Sequence, residues 1–162
     1  MEIQNTEKRV FPINAVRLCV DQCSNELKGR VYSKLSITAL RFDNFSEFLL
    51  KTDKLFDRCG YPQSYLEKRN FSSKTQTGSY FLPKALTSDE EILKQKGDIA
   101  TIDIFVKSRR RAGWQGFLMR PDGRKASEYQ SEMGLMHLIC SVTGWTGSRI
   151  DYGEKEKQEE LI

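Results

Sequence analysis

The sequence predicts an α+β domain, an antiparallel sheet with two packed helices, and three observations carry that expectation. Val16/Leu18/Val20 and Ile102/Ile104/Val106 each alternate apolar with polar residues, the period-2 pattern of a half-buried strand. Two segments, Asp43 to Gly60 and Ser131 to Gly144, combine a capping residue, an apolar face and a closing glycine. Between candidate strands, Pro121-Asp122-Gly123 supplies turn chemistry.

Taken in order, residues 14–23 form the first strand, with Val16, Leu18 and Val20 inward and Arg17, Cys19 and Asp21 outward. A polar turn follows, and residues 30–42 read as further strand, broken near Lys34 to Ser36. Asp43 or Ser46 is the expected helix cap, because a side-chain oxygen there accepts a bond from an unpaired first-turn amide. With Ser46 as cap, Phe45 would staple onto Leu50. Phe48, Leu49, Thr52, Leu55, Phe56 and Cys59 form the apolar face, and Gly60 with Pro62 ends the helix. Residues 63–86 lose periodicity and read as a long connection with a short strand at Ser79 to Leu82. Ser88 and Glu91 fit a capping box for a short helix that Gly97 stops. The strand through Ile102, Ile104 and Val106 follows, then strands on either side of the Pro-Asp-Gly turn, then the helix from Ser131 to Gly144.

The two ends resemble one another. Each has an alternating strand, a glycine (Gly29; Gly116), a Ser-Glu pair (Ser46-Glu47; Ser131-Glu132) and a closing glycine (Gly60; Gly144). This points to a duplicated ββα or βββα unit, with repeats at 13–62 and 98–145 and a connector at 63–97. The expected organisation is one domain over 1–150 and a flexible charged tail over 151–162, where five acids and two lysines stand with little apolar.

A chain of 162 residues suits a single domain with its own core. Charged residues make up 30% and no apolar run approaches a membrane span, so no membrane partner is expected. The start carries no secretory pattern, and Cys19, Cys23, Cys59 and Cys140 form no C-x-x-C pair. A reduced, cytoplasmic protein of bacterial or phage type is expected, with no metal and no cofactor. The whole basic excess lies in residues 107–125, where seven cations stand against Asp122, more than the net +4 of the chain.

The stretch from Ile102 to Ser141 resembles a group of short, uncharacterised Firmicutes proteins, in which an alternating strand leads into W-Q-G, a second strand and a Ser-started helix. Trp114-Gln115-Gly116 is the specific part, while the family's Glu-Leu is interrupted here as Glu132-Met133-Gly134-Leu135. No activity comes with that resemblance. In element order the halves also look like the βββα domains of HicB-type antitoxins and double-stranded RNA-binding folds, a likeness of topology alone.

The chemistry points to binding rather than catalysis. Lys107, Arg109, Arg110, Arg111, Arg120, Arg124 and Lys125 form a basic hairpin whose arginine forks suit phosphate. Trp114 would stack on a base or plug the core, and Gly113 and Gly116 would give the hairpin freedom. The expected function is a non-catalytic binding or regulatory module meeting an anionic partner, nucleic acid or an acidic protein surface. One alternative is a protein–protein module using Phe71, Tyr80 and Phe81. Another is a sensor of a small anionic ligand such as a nucleotide. The arginine run superficially resembles a PilZ domain, but Asp122 and Ser127 lack the spacing of its second element. His137 and Cys140 share a helical face with Met133, Met136 and Ile139 and read as core. Asp43, Glu47, Asp53 and Asp57 read as a solvated helix face.

Overall fold

The structure is a computed structural model that describes residues 9–62, 83–109 and 113–145. Strands β1 (Ala15–Gln22), β2 (Lys28–Ser33) and β3 (Leu40–Phe42) lead into helix α1 (Phe45–Cys59). A short α2 (Asp89–Leu93) precedes β4 (Ala100–Ser108), β5 (Gln115–Met119), β6 (Lys125–Tyr129) and α3 (Glu132–Thr143). The strands form one six-stranded sheet in the order β3-β2-β1-β4-β5-β6, with every neighbour antiparallel. The expected α+β class is what the chain adopts.

The two halves repeat their order, β1-β2-β3-α1 and β4-β5-β6-α3, and they meet along β1 and β4. Arg17 lies opposite Asp103, with Val16 against Ile104 and Leu18 against Ile102. Each half has a bulge at the same place, between Val20 and Gln22 on β1 and between Val106 and Ser108 on β4. Each also needs a glycine for one reason, a close backbone approach. A Cβ on Gly29 would stand 1.9 Å from the Cys19 carbonyl oxygen, and one on Gly116 would stand 1.9 Å from that of Phe105. Gly116 is therefore a mid-strand packing residue and not a hinge of the hairpin.

One face of the sheet carries α1 over β2 and β3, and α3 over β4 and β6. Val16, Leu18, Val20, Ile102, Ile104 and Val106 join Phe48, Leu55, Phe56, Leu135 and Ile139 in this main core. The helix ends follow local chemistry. Ser131 Oγ accepts from the Gly134 amide, Ser88 Oγ accepts from the Glu91 amide, and Gly60 and Gly144 close their helices at positive φ. Three expectations are corrected. The cap of α1 is Asn44, which is extended and accepts from the Glu47 amide at 2.8 Å, so Phe45 is already helical. Leu50 is exposed and forms no staple, because the cap lies earlier than Ser46. Helix α2 ends at Leu93, well before Gly97, whose lack of a Cβ instead lets it lie against the Val20 backbone.

The second face, toward which Arg17, Cys19 and Asp21 were expected to point outward, is covered along the centre of the sheet. Residues 9–14 and α2 lie across it, and Phe11, Ala15, Ile92 and Met119 make a second small core. Ala15 and Cys19 are consequently buried as fully as their apolar neighbours, and Arg17 is buried with them. Arg17 is accommodated by pairing. Its Nε and Nη2 donate to the two Asp103 carboxylate oxygens at 2.8 and 2.9 Å, and its Nη1 donates to the carbonyls of Leu93 and Gln95 at 2.7 and 3.2 Å. Arg9 adds a bond to Asp103 at 2.8 Å. One guanidinium thus joins β1 to β4 and satisfies the open carbonyl end of α2, which no helical amide can reach.

Asp103→Ala leaves the buried Arg17 charge without its carboxylate and should lower unfolding stability by about 3–5 kcal/mol, measured by urea titration. Arg17→Met combined with Asp103→Leu removes both charges and should recover part of that loss.

Candidate anion-binding surface

The eight residues predicted to hold an anionic partner do not lie together. Arg109 and Trp114 point inward, Lys107, Arg120, Arg124 and Lys125 point outward, and Arg110 and Arg111 lie outside the described residues. Phe71, Tyr80 and Phe81, the segment 79–82 and the tail 151–162 also lie outside them.

The bulge on β4 explains the split. Strict alternation from the inward Val106 would send Arg109 outward, but the extra residue between Val106 and Ser108 reverses that parity. Arg109 therefore turns beneath α1, with its side chain only 3% exposed. Its Nε donates to the Pro62 carbonyl at 2.7 Å, and its Nη1 donates to Asp53 and Asp57 at 2.9 and 2.7 Å. Its guanidinium also lies 5.4 Å from the centre of the Phe56 ring. Trp114 is 1% exposed, meets Phe48 edge-on and Phe56 at a tilt, and donates from Nε1 to Asp53 at 3.1 Å. Trp114 is a core residue and is not free to stack on a base. Asp53 and Asp57, expected on a solvated helix face, do keep 47% and 58% of their side chains exposed, and they are also the two arms of a clasp that holds α1 to the β4–β5 hairpin. Their i,i+4 spacing was the available signal, since both carboxylates then project from one side of the helix.

The remaining cations form a surface. Arg120-Pro121-Asp122-Gly123-Arg124 is a tight turn, closed by bonds from the Gly123 amide to the Arg120 carbonyl and from the Arg120 amide to the Arg124 carbonyl. Asp122 accepts from the Arg124 amide at 2.9 Å, while the Arg124 side chain is 82% exposed. Lys125 contacts Glu128 and lies 5.6 Å from the centre of the Phe117 ring. Lys107 is exposed on β4. Between these cations, on the face away from α1 and α3, Phe105 and Phe117 stack at 4.5 Å with 14° between their planes, and both are half-buried. Neither phenylalanine was singled out from sequence, although Phe105 alternates with Ile104 and Val106 and so had to face the other side.

A second basic surface borders β3. Arg41, Lys51, Lys54 and Arg58 with Asp57, Ala39 and Leu40 line a shallow groove of about 750 Å³. Lys51, Lys54 and Arg58 recur at helical spacing, but in the linear sequence they alternate with Asp53 and Asp57, which hid the basic ridge.

Burial pushes the Cys19 thiol up to about 11, against the pull of Arg30 and Arg17. Burial likewise raises the Tyr129 phenol, whose hydroxyl donates to the Phe105 carbonyl. Partial burial, and then the charge of Asp53, raise the Glu132 carboxyl. His137 and Cys140 are half-buried on α3, and Met133 beside them is exposed and not packed as expected. Among the described residues no group of three histidines, cysteines or carboxylates could hold a metal ion, and no helix is long and apolar enough to cross a membrane.

Arg109→Ala should cost on the order of 2–3 kcal/mol of stability in a urea titration, and Arg109→Lys should restore little, because an ammonium cannot reproduce the fork. Only the thiolate is nucleophilic, so at pH 8 Cys19 lies well below its ionisation. Alkylation followed by peptide mapping should find Cys19 unlabelled until denaturant is added.

Comparison with protein-family models, with curated proteins and with solved structures finds no match to this chain.

Proposed function

We propose that this chain is a non-catalytic binding or regulatory module that meets an anionic partner through the turn and outer face of β4, β5 and β6. The observation that carries this reading is the exposure of Lys107, Arg120, Arg124 and Lys125 around that part of the sheet, with Asp122 and Glu128 as the local acids. Arg109 and Trp114 take no direct part in it, because their polar atoms are engaged by α1. Cations held on a rigid sheet gain affinity for a polyanion by releasing its condensed counterions. Nucleic acid and an acidic protein surface both fit that chemistry. The scattered cysteines support a reducing, cytoplasmic setting. The matching bulges and glycines support descent of the two halves from one duplicated βββα unit.

A second reading, a small anionic ligand such as a nucleotide, is favoured by the basic groove between β3 and α1. Charge reversal separates the two sites. Lys54→Glu with Arg58→Glu alters the groove, whereas Arg124→Glu with Lys125→Glu alters the hairpin.

Binding to labelled oligonucleotides and to an acidic polypeptide, measured by anisotropy, tests the main reading. Four phosphate contacts on a single strand imply roughly a 50-fold loss of affinity between 50 and 200 mM salt. Arg124→Glu with Lys125→Glu should weaken binding at low salt and flatten the salt dependence. No binding of the unaltered protein to any polyanion at low salt would overturn the reading.

A further inference from the structure

Resting on the reading above, we infer that the partner is a single-stranded nucleic acid, whose bases stack on the Phe105–Phe117 platform while Lys107 and Lys125 hold its phosphates. The covering of the outer face stops short of its β4–β5 edge. Phe11, Ile92 and Met119 seal the centre of that face, but Phe105 and Phe117 stand at the margin of this small core and remain half-buried. Aromatic rings at a sheet surface are a costly way to fill space, since each leaves apolar area in water. Here the two rings are stacked face to face on adjacent strands with centroids 4.5 Å apart, so each covers one face of the other and only the outer faces of the pair can meet a ligand.

The charges around the pair are mixed but mostly cationic: Lys107, Arg120 and Arg124 stand near it, while Glu128, opposite Phe117 on β6, pairs with Lys125. Lys107 follows Phe105 on β4, and Lys125 lies 5.6 Å from the Phe117 centroid. That cation–π contact marks a ring face open to a ligand, because a flexible lysine yields the face to a base while its ammonium moves to the neighbouring phosphate. Arg120 and Arg124 extend the basic edge along the turn. The outer face of Phe117, beside a lysine that can exchange Glu128 for a phosphate, matches a splayed base and the flanking backbone of a single strand. A duplex hides its base faces within its own stack, and an acidic polypeptide has no bases to offer, so neither would use the rings.

The experiment compares a labelled oligo-uridine and oligo-thymidine with a duplex of equal length and with polyglutamate, using the full chain. Phe117→Leu keeps an apolar side chain against the small core and removes the stacking surface, and Phe117→Tyr restores a ring. Single strands should bind more tightly than the duplex, with Phe117→Leu about tenfold weaker for single strands only and Phe117→Tyr close to unaltered protein. Native intrinsic fluorescence of the buried Trp114 and Trp145 confirms that each variant is folded, and Lys125→Gln supplies an independent test if Phe117→Leu is not. Equal affinity for duplex or polyglutamate, or no effect of the Phe117→Leu and Lys125→Gln changes on single-strand binding, would overturn this inference while leaving the anionic-partner reading intact. No binding to any of the probes would overturn both.

Discussion

The fold turns on one buried ion pair. Arg17 and Asp103 are 86 residues apart in sequence, yet they face each other where the two halves of the sheet join. Burying two charges is expensive, and the cost is offset only when the geometry is bidentate and the remaining donors are satisfied. Both conditions hold, because the third donor of Arg17 closes the carbonyl end of α2 and Arg9 shares Asp103. The pair therefore does more than join β1 to β4. It draws α2 and residues 9–14 onto the outer face, and so decides which part of that face is covered and which part stays open.

A second device, the bulge, decides which charges reach water. On β4 Lys107 emerges as alternation from Val106 requires, and the extra residue between Val106 and Ser108 then turns Arg109 in toward Asp53 and Asp57. On β1 the equivalent bulge turns Cys23 toward the main core. The same local irregularity is filled by a small thiol in one half and by an ion-paired guanidinium in the other. The consequence for function is direct. Among the described residues of the basic run, Arg109 belongs to a structural clasp, whereas Lys107, Arg120, Arg124 and Lys125 are exposed.

Features written in local chemistry were legible in the sequence. Ser131 with Gly144, Ser88 with Glu91, and the alternation of Val16/Leu18/Val20 and Ile102/Ile104/Val106 each depend on residues within a few positions. What depended on distant partners was not legible. Arg17 and Asp103 look like ordinary outward polar positions on alternating strands, and nothing nearby reveals that each is the other's counterion. Arg109 was expected to bind because the parity change at the bulge leaves no mark in residue type, whereas Trp114, offered as a stacking residue or a core plug, is the core plug. Asn44 was passed over between Asp43 and Ser46, three equivalent caps that only the backbone turn distinguishes. The candidate site was legible as a concentration of charge, with Lys107, Arg120, Arg124 and Lys125 in it. Phe105 and Phe117 became part of it only once the helices were seen to occupy the other face.

Contact on the open outer face of β4, β5 and β6, and not at the clasp or along α1, can be tested by mapping amide chemical shifts of the labelled protein during titration with a short oligo-uridine. The largest changes should cluster at Phe105, Lys107, Phe117 and Lys125. Changes centred on Lys51, Lys54 and Arg58, or on Asp53 and Arg109, would contradict it.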